Sequence, residues 1–363
     1  NKQYNTPMTI GNGQAFNVTL DTGSSDLFLP GPHCTSADGS CRLPLIDGKD
    51  KTLIPTGAPY SLSYAGGSFA NGTIFRGPLS LGGASTKNGF FLASDEITSW
   101  GDPESAGFLG LGFPFAQEAM VDVLKGAKTP IQALGLSSFG IYLSNLVEGD
   151  RGVFTTNGVD EAHVGGPFSY VPIVSTTGAW TIPFVDATFA VNGKTGPITG
   201  ITTVDTGMDI VVLPTAVAEG IWAGIGAVPL ADGSNQATID CRIAATGPDV
   251  HLTFSGTTYT IPASYYVYSG DVTSGCIAGF MGGAELFGNS ILGDVFIRAH
   301  YSHFDITNKR IGELPFICAP GFLLLRKCSH SPPPPRQVSQ RLSTLSRGPT
   351  TPRQFLLFFL LGG

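Results

Sequence analysis

FNVTLDTGSSDLFLP, Phe16 to Pro30, returns as a near copy in ITTVDTGMDIVVLP, Ile201 to Pro214. Each copy runs apolar residues into Asp-Thr-Gly and closes on Leu-Pro, Leu29-Pro30 in the first and Leu213-Pro214 in the second. A single Asp-Thr-Gly says little, because Asp and Gly beside a small polar residue make turns in many contexts. Two in matched frames point to an internal duplication, and a second landmark agrees. Gly110 of AGFLGLGFP lies 89 residues after Asp21, and Gly293 of SILGDVF lies 88 residues after Asp205. Two halves of one length therefore carry the same pair of signals.

The duplication has a chemical consequence. If each half presents its aspartate at a tight turn on the end of an apolar strand, a pseudo-twofold axis brings Asp21 and Asp205 face to face. Two carboxyl groups in contact cannot both ionise cheaply, so one pKa rises, the other falls, and the pair holds a single proton. Such a pair is an acid and a base in one site. Its ionised member can deprotonate a water while its protonated member donates to a substrate carbonyl.

Further residues join these two segments: LSYAGGSFANG at Leu62 to Gly72, FLGLGFP, SFGIYLS at Ser138 to Ser144, and the run SILGDVFIRAHYSHFDITNKRIGEL, Ser290 to Leu314. Together they resemble the pepsin-like aspartic peptidases, in particular secreted members of fungal type, from about Tyr4 to about Cys318. The resemblance implies an all-β, two-lobed fold with pseudo-twofold symmetry and a few short helices. It implies lobes over residues 1–165 and 166–318, each supplying one catalytic aspartate, Asp21 and Asp205, with Thr22, Gly23, Ser24, Thr206 and Gly207 supporting the dyad. It makes Leu62 to Gly72 a flap hairpin with Tyr64 at its side and Gly66, Gly67 and Ser68 at its tip, closing over an extended peptide in a cleft whose wall includes Phe28. The activity implied is endoproteolysis at acidic pH with bulky apolar residues beside the scissile bond, by a monomer with a peptide or protein substrate and neither metal nor organic cofactor. A peptidase-shaped protein that binds peptides without turnover is the alternative.

Two departures from the family pattern stand out. Phe28 occupies a position where the family often has a Trp that hydrogen-bonds the flap tyrosine; Phe keeps the apolar wall but offers no donor, so Tyr64 needs another partner. In the first copy Ser24 supplies a hydroxyl to its aspartate, whereas Met208 stands at the matching position of the second, followed by Asp209. Losing one donor raises a carboxylate's pKa, and Asp209, if it points inward, raises it further.

Composition fits this reading. The 363 residues suffice for two lobes that each bury a core, and 49 Gly, 26 Pro and only 13% charged residues suit many short strands with tight turns. The net charge of −7 conceals an asymmetry: six Lys or Arg and no acid lie beyond Cys318, which leaves 14 basic against 27 acidic residues before Ala319. A body so acidic excludes nucleic acid as a partner. Cys34 and Cys41 bracket a polar loop, and Cys241 and Cys276 flank a strand-rich segment; neither pair has metal-ligand spacing, so local disulfides and an oxidising compartment follow. The family resemblance implies the same pairings. Cys318 and Cys328 are left without assignment. No Met and no apolar signal segment precede Asn1, so secretion, or delivery to a vacuole, rests on the cysteines and the resemblance.

Ala119, Met120, Val123 and Leu124 share one helical face and predict a packing helix within 116–136; Pro214 to Ile225 predicts a second, and Leu252 to Tyr268 alternates as strands do. Gly152 to Pro172 is the expected crossing between lobes. His300, His303 and Asp305 do not make a metal site, because residues three apart on a strand face opposite ways. Asn17-Val-Thr and Asn71-Gly-Thr fit the glycosylation sequon; Asn17 falls in an expected core strand, which argues against its modification, whereas Asn71 beside the flap is open to it. The segment 319–363, with four consecutive prolines and a terminal FLLFFLL too short to span a bilayer, is expected to be a disordered tail or an error in the encoded end.

Overall fold

A computed structural model describes residues 4–314 apart from 42–43, 65–66, 99–103, 116–118, 145–151, 175–177 and 270–274, together with 346–347. Gly66, Cys318, Cys328 and nearly all of the tail lie outside the described residues. The described chain is mostly β-strand, and its longest helix is Thr215–Ile225. No described helix is long and apolar enough to cross a membrane.

The strand leading to the first aspartate, Gln14–Asp21, follows its alternation: Phe16, Val18 and Leu20 are buried while Ala15 and Asn17 face outward. It pairs antiparallel with Tyr4–Ile10 and parallel with Phe108–Gly110. These strands belong to a sheet that also holds Phe28–Thr35, Ala84–Thr98, Phe69–Leu81 and Ile54–Ser63. At its edge Ser346–Arg347 pairs with Tyr4 and Asn5.

The second aspartate repeats the arrangement. Ile201–Val204 runs parallel to Ser290–Leu292, with Val204 opposite Leu292, as Leu20 lies opposite Leu109 in the first half. Its last three residues are buried in succession, as expected of a parallel strand covered on both faces. After each Asp turn the chain returns to the other side of the same central strand: Leu27 bridges Leu109 and Val211 pairs with Leu292, each the sixth residue after its aspartate. The two Leu-Gly landmarks are thus the strands that hold the Asp turns from the middle.

A third sheet ties the halves together. Val153–Thr156, Phe139–Tyr142, Tyr301–Asp305, Arg310–Leu314 and Ser169–Pro172 are neighbours in it, so strands distant in sequence form one antiparallel layer. The stretch Gly152 to Pro172, expected as the crossing between lobes, contributes two strands to it, Val153–Thr156 and Ser169–Pro172. Above this layer Phe139 stacks on Phe304 at 4.7 Å, and Trp180 meets both edge-on.

The expected helix within 116–136 is instead two single turns, Met120–Val123 and Pro130–Ala133. Gly126 at φ 89° turns the chain between them, and Pro130 can only begin a helix. Thr215–Ile225 forms as expected, stopped by Gly226 in the left-handed region. Leu252 to Tyr268 gives the hairpin Val250–Phe254 and Thr257–Ile261, then one helical turn, Ala263–Tyr266, opened by Pro262. Both expected disulfides, Cys34–Cys41 and Cys241–Cys276, are present.

Candidate active site

Asp21 and Asp205 leave their strands into loops that grip one another. The Thr22 hydroxyl donates to the Val204 carbonyl at 2.8 Å and accepts the Thr206 N–H at 3.0 Å. Reciprocally, the Thr206 hydroxyl donates to the Leu20 carbonyl at 2.8 Å and accepts the Thr22 N–H at 3.2 Å. Both threonines are essentially inaccessible to solvent. Each hydroxyl therefore satisfies buried backbone groups of the opposite half, and losing either one orphans two of them.

Above this brace the carboxyls meet. The Gly23 N–H donates to Asp21 Oδ1 and the Gly207 N–H to Asp205 Oδ1, each at 2.8 Å. Each carboxyl also rests on the opposite glycine: a Cβ at Gly23 would lie 2.6 Å from Asp205 Cγ, and one at Gly207 2.5 Å from Asp21 Oδ1. Glycine is required here by the close approach. The Ser24 hydroxyl donates to Asp21 Oδ2 in a short hydrogen bond. Met208, at the matching position, has no hydroxyl to give Asp205.

The environment separates the two acids. Burial raises the pKa of Asp21, opposed by the hydrogen bonds from Ser24 and Gly23. Burial and then the charge of Asp21 push Asp205 well above the usual carboxylate range, opposed by the Gly207 N–H. Both carboxyls are therefore raised, where one was expected to fall, because burial acts on the two alike; Asp205, with fewer donors, is raised more. Burial raises Asp294 and Tyr268; the charge of Asp209 raises both further and favours the cation of Arg298.

Ile54–Ser63 and Phe69–Leu81 form the hairpin over this site, closed by Tyr64 N–H to the Ser68 carbonyl at 2.8 Å and by Gly67, φ 80°, to the Tyr64 carbonyl at 3.2 Å. The Tyr64 ring lies 5.8 Å from Phe28 and 4.9 Å, edge-on, from Phe108. Phe28 gives Tyr64 an apolar neighbour and no donor. Burial, reinforced by the charges of Asp21 and Asp26, raises the Tyr64 pKa well above that of a free phenol.

Several residues at the site were not legible from motif positions alone. Phe108 completes the aromatic wall. Asp26, five residues past Asp21, accepts from the Tyr60 hydroxyl at 2.6 Å and from the Met120 N–H at 3.0 Å, joining the Asp turn, the flap strand and a helix start. Asp294, in the LGD run, is fully buried, with Arg298 and the dyad acid Asp205 both near enough to shift its pKa. A buried acid within a recognised motif was the available signal for Asp26 and Asp294; partners 34 and 94 residues from Asp26 were not readable. His300 Nδ1–H donates to the Phe296 carbonyl while His303 Nδ1 pairs with the Tyr170 hydroxyl, so the two histidines diverge. Among the described residues no group of side chains converges as a metal site.

Comparison with known proteins places this geometry. Residues 3–314 match the family described as eukaryotic aspartyl protease. The chain is 32% identical to rhizopuspepsin-2 of Rhizopus niveus over 311 residues, covering 84% of this chain and 76% of that protein. It is 30% identical to cathepsin D of Dictyostelium discoideum over 326 residues, 85% of this chain and 82% of that one. To the probable vacuolar protease A of Trichophyton verrucosum (strain HKI 0517) it is 31% identical over 325 residues, covering 86% and 78%. With duplicated Asp-Thr-Gly turns locked through their threonines and a hairpin above them, the chain belongs to the eukaryotic aspartyl protease family, the pepsin-like aspartic endopeptidases.

Proposed function

We propose that this chain cleaves peptide bonds in acid through a water activated by Asp21 and Asp205. The observation that carries the proposal is the coupled, buried pair of carboxyls with unequal environments. Asp21, ionised and held by Ser24 and Gly23, takes the proton of the attacking water; protonated Asp205 donates to the scissile carbonyl, giving a tetrahedral intermediate with no covalent enzyme adduct. Thr22 and Thr206 hold the two loops in register, and Gly23 and Gly207 let the carboxyls approach. Tyr64, Gly67 and Ser68, with Gly66, form the flap that closes on an extended peptide, excludes water and supplies backbone hydrogen bonds.

The pocket wall of Phe28, Tyr64 and Phe108 supports a preference for bulky apolar residues beside the scissile bond. Lobes divided near Gly165-Gly166 give each lobe one Asp turn and the parallel strand that holds it. Two disulfides support an oxidising compartment, secreted or vacuolar. A second reading, peptide capture without turnover, is favoured only by Met208.

The test is digestion of an unfolded protein from about pH 2 to about pH 7, beside Asp21→Asn and with a statine-type inhibitor. Acid-limited cleavage lost in both controls is expected. Inhibitor binding without cleavage would transfer the assignment to the second reading.

A further inference from the structure

The outward phase of the strand Gln14–Asp21 carries the asparagine of a glycosylation sequon. Asn17, the first residue of Asn17-Val18-Thr19, is not in the core: it is exposed, between exposed Ala15 on its own strand and exposed Pro7 directly across on Tyr4–Ile10. The alternation that buries Phe16 and Val18 turns Asn17 to solvent. Small neighbours on the same face leave room for a bulky substituent. The expectation that a core strand shields this residue is therefore reversed by the one-sided burial of the strand.

Two residues on, the same face closes. Thr19 is fully buried, and its hydroxyl lies 2.8 Å from both Asn5 Oδ1 and Ser105 Oγ. Sequon recognition needs that hydroxyl, so the folded chain offers the asparagine and withholds the threonine. Ser105 comes 86 residues after Thr19, and the central strand Phe108–Gly110 follows it. At ordinary synthesis rates the sequon stays open for roughly 4 to 17 seconds before its cover exists. Asn71 is placed differently: it sits mid-strand in the flap sheet, half-buried, with its amide on Glu96 Oε2 at 3.0 Å, only 25 residues downstream, a window of roughly 1 to 5 seconds.

We propose that Asn17 is an N-glycan acceptor, modified while Thr19 is still uncovered and accommodated by the folded sheet without rearrangement. The proposal rests on the secretory compartment assigned above. In the transfer, Asn17 Nδ2 forms an N-glycosidic bond to the anomeric carbon of a polyprenyl-pyrophosphate-linked oligosaccharide. The bond from that carbon to the pyrophosphate oxygen breaks, the lipid pyrophosphate leaves with the electron pair, and one amide proton passes to solvent.

The full chain, secreted from a yeast host behind the host's leader, is treated with a peptide N-glycosidase and its peptides are weighed. Conversion of Asn17 to Asp in the parent chain, and loss of one step of electrophoretic retardation in Asn17→Gln but not in Asn71→Gln, are expected. Because the mass readout uses the parent, a folding failure of the variant does not obscure the result. An unmodified Asn17 peptide in the secreted, disulfide-bonded chain would overturn the assignment. Acid proteolysis by the same preparation is measured separately; its absence counts against the peptidase reading and leaves the glycan result standing. A second arm offers the unglycosylated, refolded chain to an oligosaccharyltransferase beside a peptide spanning the sequon. Modification of the peptide alone is expected, and equal modification of both would refute the timing.

Discussion

At the residue scale the site turns on one hydroxyl. Ser24 has it and Met208 does not, so two aspartates with the same backbone support differ in how well each charge is held. In Met208→Thr a donor is restored to Asp205, its pKa falls, and the basic limb of the kcat/KM profile, which reports loss of the shared proton, moves to lower pH. A charge-assisted bond of about 1 to 3 kcal/mol corresponds to a shift on the order of one pH unit. Superimposable profiles of variant and parent would remove Met208 from the account. Asp21→Asn deletes the base and is expected to lower kcat by at least about a hundredfold with the melting temperature retained. The motif positions of Asp21, Ser24, Asp205 and Met208 were all legible in sequence. The rise of both carboxyl pKa values was not, because it depends on burial and on the opposing carboxyl.

At the element scale, Asp26 joins three segments. Its Oδ2 receives the Tyr60 hydroxyl from the flap strand Ile54–Ser63 and the first N–H of the helix Met120–Val123, and burial raises its pKa against both bonds. Tyr60→Phe removes one of these partners and is expected to destabilise the chain by about 1 to 3 kcal/mol, read by denaturant unfolding. Because Tyr60 lies four residues before Tyr64, KM for peptides with a bulky residue at the cleavage site is also expected to rise while kcat holds. An unchanged KM would restrict Tyr60 to stability. Sequence gave both strands of this hairpin and its glycine tip. It placed one helix where Gly126 and Pro130 make two turns, since apolar spacing is blind to a backbone break between two short apolar runs.

Over the whole molecule, buried carboxyls set the pH range of the fold. Glu313, in the sheet shared by both halves, accepts from the Ser302 hydroxyl at 2.8 Å, and burial pushes it up to about 8. Below its ordinary value near 4.5 the folded and unfolded chains are both protonated there. Between about 4.5 and about 8 only the unfolded chain releases the proton, so stability falls as pH rises through that window and levels off above it. The limiting slope is about 1.4 kcal/mol per pH unit for one such group. Asp294 and Asp205, also raised by burial, act in the same direction. His300, lowered to about 4 by burial, acts oppositely between about 6.5 and about 4. A melting temperature that declines from pH 4.5 toward pH 8, with the decline flattened in Glu313→Gln, is expected by scanning calorimetry. A decline of equal slope in the variant would assign the effect to other groups.

Sequence by itself determined the duplication, the two aspartates, the hairpin above them, the two disulfides and the all-β class, because each is written in local pattern: a repeated turn, a glycine tip, a spacing, an alternation. Only the tertiary structure decided that burial raises both carboxyls, that Phe108 joins Phe28 against Tyr64, that Asp26 ties Tyr60 to Met120, and that Asn17 stands in solvent while Thr19 does not. These depend on electrostatics and burial, which are sums over neighbours brought together from across the chain. A one-dimensional pattern fixes who the neighbours of a residue are along the chain, and the folded sheets fix who they are in space.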